Sequence, residues 1–251
     1  MKQSTNNKTA SSSTGILVPL SDSLRQEILS GHIDTVIESG TNLSLGSNST
    51  IASVFSDLSM QPEFYTFEAS YAAWKKARKT LEKFPFVTPI WGRSVPLDEA
   101  LKFILKDEFL KNHKSYSKIN FDGGNDSAAS YVREISDEGG FSRFSFINKL
   151  KKKKEEADKP KFFKGDNLLR KFLLKFKHRN PLIHLNSCSG IGFLEFEILI
   201  GTMKNAPFYL ILDDINHIKH FRSYEHIKND PSFRIINLNT DAGWVFAQKT
   251  K

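Results

Sequence analysis

The sequence predicts an α/β domain: an open sheet of seven strands, parallel except for the last, with helices on its faces and a helical insertion between the third and fourth strands. Short β-branched or aromatic runs alternate with amphipathic segments of helical period, and that pattern requires crossovers and therefore parallel neighbours. The last two strand-like runs, Phe233–Leu238 and Trp244–Gln248, are joined only by Asn239–Gly243. So short a connection forces an antiparallel pair. Length and composition agree, since 251 residues that are 39% hydrophobic and include 21 Phe supply the core of one large domain without disulfides. The single Cys188 can form no internal disulfide, which suits a reducing compartment.

Residues Met1–Thr14 are almost wholly polar and cannot offset the cost of ordering, so they read as a disordered tail ahead of a single domain over 15–251. An amphipathic helix around Ser21–Leu29 leads to Ile33–Glu38, a β-branched run halted by Ser39-Gly40 and taken as the first strand. Residues Asn48–Leu58 place Ile51, Val54, Phe55 and Leu58 at helical spacing, with Asn48 or Ser49 as cap. Phe64–Phe67 is the second strand, ending at Glu68. In the helix Tyr71–Phe84 that follows, Trp74, Ala77 and Leu81 share one face and Lys75, Lys76, Arg78 and Lys79 the other. Phe86–Trp91, closed by Gly92, is the third strand, and Leu97–Leu110 the next helix.

From Asn112 to Asn180 the alternation lapses into a helix-leaning stretch interrupted at Gly123-Gly124 and Gly139-Gly140. It resumes with a strand at Pro181–Leu185, a helix at Phe193–Met203, an apolar strand at Phe208–Leu212, a helix near His217–Lys228 and the closing hairpin. Residues 112–180 therefore read as a helical, basic insertion between the third and fourth strands that caps the ligand edge of the sheet.

The net charge of +8 is concentrated there. Lys149–Arg179 holds thirteen Lys or Arg against four acids, leaving the rest of the chain at −1. The segment reads either as a contact for RNA or an anionic glycan, or as exposed helices whose Phe162, Phe163, Leu168, Leu169, Phe172, Leu173 and Phe176 pack inward. The apolar spacing favours packing. No Asn-Pro-Pro-Tyr or Asp-Pro-Pro-Tyr sequence is present, and nucleic acid is not the expected partner. No stretch reaches the roughly 20 apolar residues of a membrane helix and the start lacks the apolar centre of a secretion signal, so a cytoplasmic protein is expected.

Ligands of open parallel sheets sit at the carboxyl ends of the strands. The first strand ends in Glu38-Ser39-Gly40-Thr41-Asn42, where Gly40 permits a tight turn and close approach of a ligand, and Glu38 can accept a hydrogen bond from a cation. The same residues suit an ordinary strand-to-helix loop. Gly40 and Gly46 do not form a dinucleotide G-x-G-x-x-G. Glu68, at the end of the second strand, reads either as a solvated surface acid or as a carboxylate that accepts both hydroxyls of a ribose.

Taken together, Glu38-Ser39-Gly40-Thr41, Phe67-Glu68-Ala69, Trp91-Gly92-Arg93-Ser94 and the hairpin Phe233–Gln248 resemble the class I S-adenosylmethionine-dependent methyltransferases over roughly residues 30–110 and 180–248. Within that class the chain is most similar to small-molecule O-methyltransferases of the macrocin type. The resemblance implies a Rossmann-like sheet and S-adenosylmethionine as cofactor. It implies that Glu38, Gly40 and Thr41 hold the methionine part, Glu68 and Ala69 the ribose, and Gly92, Arg93 and Ser94 the adenine side. It also implies a small-molecule or saccharide acceptor. The loop Leu43–Ser47 is longer and more polar than the G-x-G usual in the class.

In metal-dependent relatives, acids at the ends of strands four and five bind magnesium, which the resemblance carries onto Asn186, Asp213 and Asp214. Here the strand-four position is an amide, which can ligate a hard cation but brings no charge. His217 and His220, three apart on a predicted helix, share a face with Lys219 beside them. Three readings stand for them: His217 as the general base that takes the acceptor proton beside Asp213 and Asp214, a transition-metal site of Asp214, His217 and His220, or a capped helix start. Cys188 has no base near it in sequence and is not read as a nucleophile. Two alternatives to a small-molecule O-methyltransferase remain: a binding protein that kept the fold and lost turnover, and an RNA methyltransferase.

Overall fold

The computed structural model describes residues 17–31, 33–41, 47–112, 119–120, 127–136 and 145–250. The predicted tail Met1–Thr14 and most of the loop Leu43–Ser47 lie outside them. In chain order the elements are α1 (Leu17–Leu29), β1 (Thr35–Ser39), α2 (Ser47–Asp57), β2 (Glu63–Glu68), α3 (Tyr71–Leu81), β3 (Val87–Trp91), α4 (Leu97–Lys106), α5 (Glu108–Lys111), α6 (Ser127–Ser136), α7 (Ser145–Phe162) and α8 (Leu168–Phe176). They continue with β4 (Leu182–Leu185), α9 (Gly192–Met203), β5 (Phe208–Leu212), α10 (Phe221–Asn229), β6 (Phe233–Asn239) and β7 (Trp244–Lys249).

The strands form one sheet in the order β3-β2-β1-β4-β5-β7-β6. This is the doubly wound order 3-2-1-4-5-6 with β7 inserted between β5 and β6. β7 runs against both neighbours, pairing Leu210 with Ala247 on one side and Ile235 with Ala247 on the other. The remaining pairs are parallel. The fold expected from the alternation is therefore the fold observed, with an apolar layer on each side of the sheet.

On one side Ile37, Phe67, Ile183, Leu185, Leu210 and Leu212 pack with α4, α6, α8, α9 and α10. On the other side Val36, Phe64, Leu182, Tyr209, Ile211 and Phe246 pack with α1, α2 and α3. The two sets alternate along each strand because successive side chains of a strand point to opposite faces. Strands β1, β4 and β5 are buried throughout, as central strands must be when both faces are covered.

Three local expectations change. The helix predicted over Leu97–Leu110 breaks at Asp107, whose backbone is extended and whose carboxylate caps α5 by accepting from Leu110 N at 2.9 Å. The helix predicted from His217 begins only at Phe221, because residues 213–220 form turns in which Asp214 takes a φ of 60°. His217 and His220 therefore do not share a helix face. Finally, α8 is a layer helix of the sheet rather than part of an appended cap: Leu168, Leu169, Leu173 and Phe176 are buried against it, and the ring of Phe172 lies 4.8 Å from Tyr65 and 5.0 Å from Phe67.

Leu168, Leu169, Leu173 and Phe176 of the basic segment are thus buried and Phe163 and Phe172 partly so, whereas Phe162, expected inward, is 37% exposed beside the Trp74 ring. Several of the segment's cations have partners close by. Arg170 pairs with Glu99 at 3.3 Å, Arg179 with Asp34 at 3.0 Å and also with Glu63, and the Lys175 ammonium sits 4.6 Å from the centre of the Phe176 ring. No helix among the described residues is long and apolar enough to cross a membrane.

Candidate active site

The carboxyl ends of β1 to β4 are laced together by backbone hydrogen bonds. Gly40 N donates to Phe67 O at 3.0 Å, Gly92 N to Glu68 O at 3.0 Å and Asn186 N to Ser39 O at 2.8 Å. The β1 and β4 exits approach so closely that only glycine fits at position 40. A Cβ there would lie 2.2 Å from Asn186 O, and the φ of 76° is itself one that side chains disfavour. Gly92 is required for another reason. A Cβ on it would stand 2.6 Å from Leu168 Cδ1 and 2.7 Å from Gly165 O, so the chain entering α8 rests directly on the β3 exit.

Above these exits lies a cavity of about 520 Å³, a volume suited to a nucleoside-sized ligand. Gly40, Thr41, Glu68, Ala69, Gly92, Arg93 and Ser94 all line it, joined by Asn186, Ser187 and Cys188 from the β4 exit. Glu134 and Ile135 of α6 close another side, so the stretch between β3 and β4 contributes to the wall. Seven of the eight residues expected at a cofactor thus surround one space; the eighth, Glu38, is fully buried in β1 beneath it and is not part of the lining.

Burial pushes the Glu68 carboxyl up to about 7, although the backbone N–H groups of Ser70 and Ala69 favour its ionised form. One of these bonds, from Ser70 N to Oε1, measures 2.8 Å. Strand β2 therefore delivers to the cavity a carboxyl that titrates near neutrality.

Beneath the floor, Glu195 in the first turn of α9 is completely buried and accepts from Ser39 Oγ at 2.8 Å, from Ser187 Oγ at 2.7 Å and from the Ser94 hydroxyl. Its burial raises its pKa, and the three hydroxyl donors oppose that rise. One carboxyl thereby fixes the exits of β1, β3 and β4. A second network crosses the sheet on the other side. Glu38 Oε1 lies 2.8 Å from His184 Nδ1, and His184 Nε2 lies 3.0 Å from Asp213 Oδ2. Burial alone would lower the imidazole's pKa, but Asp213 and Glu38 overcome it and raise it to about 9. The same ring, against the opposing effect of burial, holds the Asp213 carboxyl below the usual carboxylate range.

The residues expected to serve the acceptor do not converge. Asp213 is turned to His184. Lys219, only 4% exposed with its stem across Gly192, donates to Asn186 Oδ1 at 3.0 Å and to Asp214 Oδ2 at 3.1 Å. An ammonium thus spans the two side chains that a magnesium ion would need. The trio Asn186, Asp213 and Asp214 does not fit a metal in this arrangement, and no group of three or more His, Cys, Asp or Glu among the described residues is placed to hold one.

His217 Nδ1 accepts from Lys219 N at 3.3 Å, which occupies the lone pair that a general base would use on that nitrogen. His220 is fully buried and its pKa is held well below the usual imidazole value, first by burial and then by the Lys219 charge. Its Nε2 bonds Leu185 O at 3.0 Å and its Nδ1 the Ser223 hydroxyl at 3.2 Å. It serves the start of α10 and not a metal. Burial pushes the Cys188 thiol up, which removes the thiolate that nucleophilic attack requires.

Sequence reasoning missed His184 and Glu195, and it named Lys219 only as a neighbour of the two histidines. A histidine inside the apolar run Leu182–Leu185 was the available signal for the first, but its partners depend on strand order, which places β4 between β1 and β5. The chain matches no protein-family model, and no curated protein shows significant similarity to it.

Proposed function

We propose that the protein is a cytoplasmic S-adenosylmethionine-dependent methyltransferase that methylates an oxygen of a small molecule or saccharide. The observation that carries the reading is the cavity at the exits of β1 to β4, which gathers Gly40, Thr41, Glu68, Ala69, Gly92, Arg93 and Ser94 around one nucleoside-sized space. Two features of the residues fit the cofactor. Gly40 leaves room where any Cβ would collide, and Glu68 offers a partly desolvated carboxylate for ribose hydroxyls. The seven-stranded sheet with β7 reversed also supports the reading.

When bound, the cofactor supplies an electrophilic methyl group. The chain's own residues bind and orient. Glu195 holds Ser39, Ser94 and Ser187, so three strand exits keep their spacing without reorganising around a ligand. Glu68 accepts from hydroxyls, and Leu97 and Ala100 of α4 with Glu134 and Ile135 of α6 wall the space beside it. At the β5 end, Asp213 is engaged by His184 and lies outside the lining of the cavity, so no acceptor proton is assigned to it. No step is assigned to a metal.

A second reading, a binding protein without turnover, draws support from the engagement of Asp214 by Lys219 and of Asp213 by His184. Calorimetric titration with S-adenosylhomocysteine tests the cofactor assignment. Binding in the wild type that is lost or much weakened in Glu68→Ala supports it, whereas no binding, or undiminished binding in the variant, overturns it. Screening hydroxylated acceptors with methyl-labelled donor then separates an enzyme from a binding protein.

A further inference from the structure

Away from the strand exits, the outer face of α3 and the last turns of α7 enclose a cleft of about 350 Å³. Lys75, Arg78, Lys79 and Glu82 recur at helical spacing and line it from the α3 side. Asp158 and Phe162 line it from α7, against the buried Trp74. The two helices are joined there by the Tyr71 hydroxyl, which donates to Asp158 Oδ2, and by Phe162, whose ring centre is 5.6 Å from that of Trp74.

The Arg78 guanidinium lies 5.8 Å from the centres of both the Trp74 and the Phe162 rings, and the Lys75 ammonium 5.5 Å from that of Tyr71. Ring contacts hold these cations at the cleft without neutralising them. Lys75, Arg78 and Lys79 form no ion pair among the described residues, whereas Arg170 and Arg179 do.

The lining sets three requirements on a ligand. Anionic groups answer the ammonium and guanidinium groups. A ring that turns C–H groups toward Phe162 packs on it, because the face of an aromatic ring is negative. Hydroxyls answer Asp158 and Glu82, since carboxylates only accept hydrogen bonds. A saccharide bearing carboxylate or sulfate groups meets all three. An RNA strand brings a phosphate at every unit and a single ribose hydroxyl, a poorer match for two carboxylates set among the cations.

We propose that the cleft between α3 and α7 is a binding site for an anionic saccharide chain, separate from the cavity at the strand exits. Helix α3 borders both: Ala73 and Lys76 line the cavity, and Lys75, Arg78 and Lys79 the cleft. A chain held in the cleft crosses one helix diameter, about 10–12 Å, to reach the cavity. The acceptor of the proposed reaction is then a charged oligosaccharide held partly outside the cavity; that link rests on the methyltransferase reading, and the cleft itself does not.

Calorimetry of the intact protein at low salt compares oligogalacturonate, a heparin oligosaccharide, neutral maltohexaose and oligouridylate. At least one of the two anionic saccharides should bind, about tenfold or more tighter than maltohexaose, with affinity that falls as salt rises. Arg78→Gln, Lys79→Gln and Phe162→Ala, all at exposed positions, should each weaken that binding about fivefold and leave affinity for S-adenosylhomocysteine unchanged.

Binding of neither anionic saccharide, equal binding of maltohexaose, or variants that bind as the wild type does would each overturn the cleft. Tighter binding of oligouridylate would overturn it in favour of an RNA surface. A protein that binds an anionic saccharide through these residues but no S-adenosylhomocysteine overturns the methyltransferase reading and leaves the cleft standing.

Discussion

Replacing Glu68 with Gln removes a carboxyl that the fold holds against its ordinary ionisation, so stability and binding should move in opposite directions. The folded protein keeps this proton up to about pH 7, whereas the unfolded chain loses it near the ordinary value of 4.5. Between those values the folded state binds more protons, and stability contributed by the neutral acid is lost as pH rises. Once the group is fully ionised the cost reaches at most about 3 kcal/mol, and solvent at the cavity mouth screens it to roughly 1–3 kcal/mol.

Urea unfolding should therefore find Glu68→Gln close to wild type at about pH 4 and more stable by roughly 1–3 kcal/mol at about pH 8. Ribose hydroxyls that donate to Glu68 favour its ionised form, so ligand binding should expel the proton. Calorimetry in buffers of different ionisation enthalpy should record release of about half a proton per S-adenosylhomocysteine at pH 7, and none in the variant. A stability difference that does not change with pH, or proton release equal in both proteins, would refute the reasoning.

Three further outcomes follow from the packing and the charge. Gly40→Ala should lose about 3 kcal/mol or more in urea unfolding, because its Cβ meets Asn186 O at 2.2 Å on a backbone with φ of 76°; a neutral effect would contradict the close approach of β1 and β4. Leu169→Ala should cost about 2–5 kcal/mol, while Leu174→Ala, at a position 57% exposed, should cost almost nothing. Similar values for the two would show that α8 is not a layer of the core. Magnesium and chelator should leave the melting temperature unchanged, since the Lys219 ammonium already spans Asn186 and Asp214; a clear rise with magnesium would restore the metal site.

The sheet was legible because each strand and crossover helix carries its own period. Phe208–Leu212 is apolar without interruption between Pro207 and Asp213, and its bounds in the structure are those read from the sequence. The reversed last strand followed from a loop too short to cross over. What failed locally failed at polar residues. Asp107 looks like one more solvent-facing position of a helix until its carboxylate turns back onto Leu110 N, and the apparent helix from His217 is a set of turns organised by a backbone bridge between Asn120 and His217.

The lining of the cavity could be named from residues at strand ends because strand ends mark ligand sites in this architecture. The buried networks could not. Glu195 looks like an outward helix residue, yet it meets Ser39 from 156 positions earlier. Lys219 has the composition of a solvated surface and is instead the cation between Asn186 and Asp214. Contacts of that kind depend on which strands are neighbours, and one sequence does not state that order. The charge of +8 shows the same limit: its location was readable, but the packing of Arg170, Lys175 and Arg179 onto acids and rings emerges only in three dimensions.

The most direct measurement is a crystal structure of the protein grown with S-adenosylhomocysteine and magnesium. The account predicts the nucleoside in the cavity with its ribose hydroxyls on Glu68, and Lys219 still bridging Asn186 and Asp214. A ligand bound elsewhere, or a metal in place of the Lys219 ammonium, would contradict it.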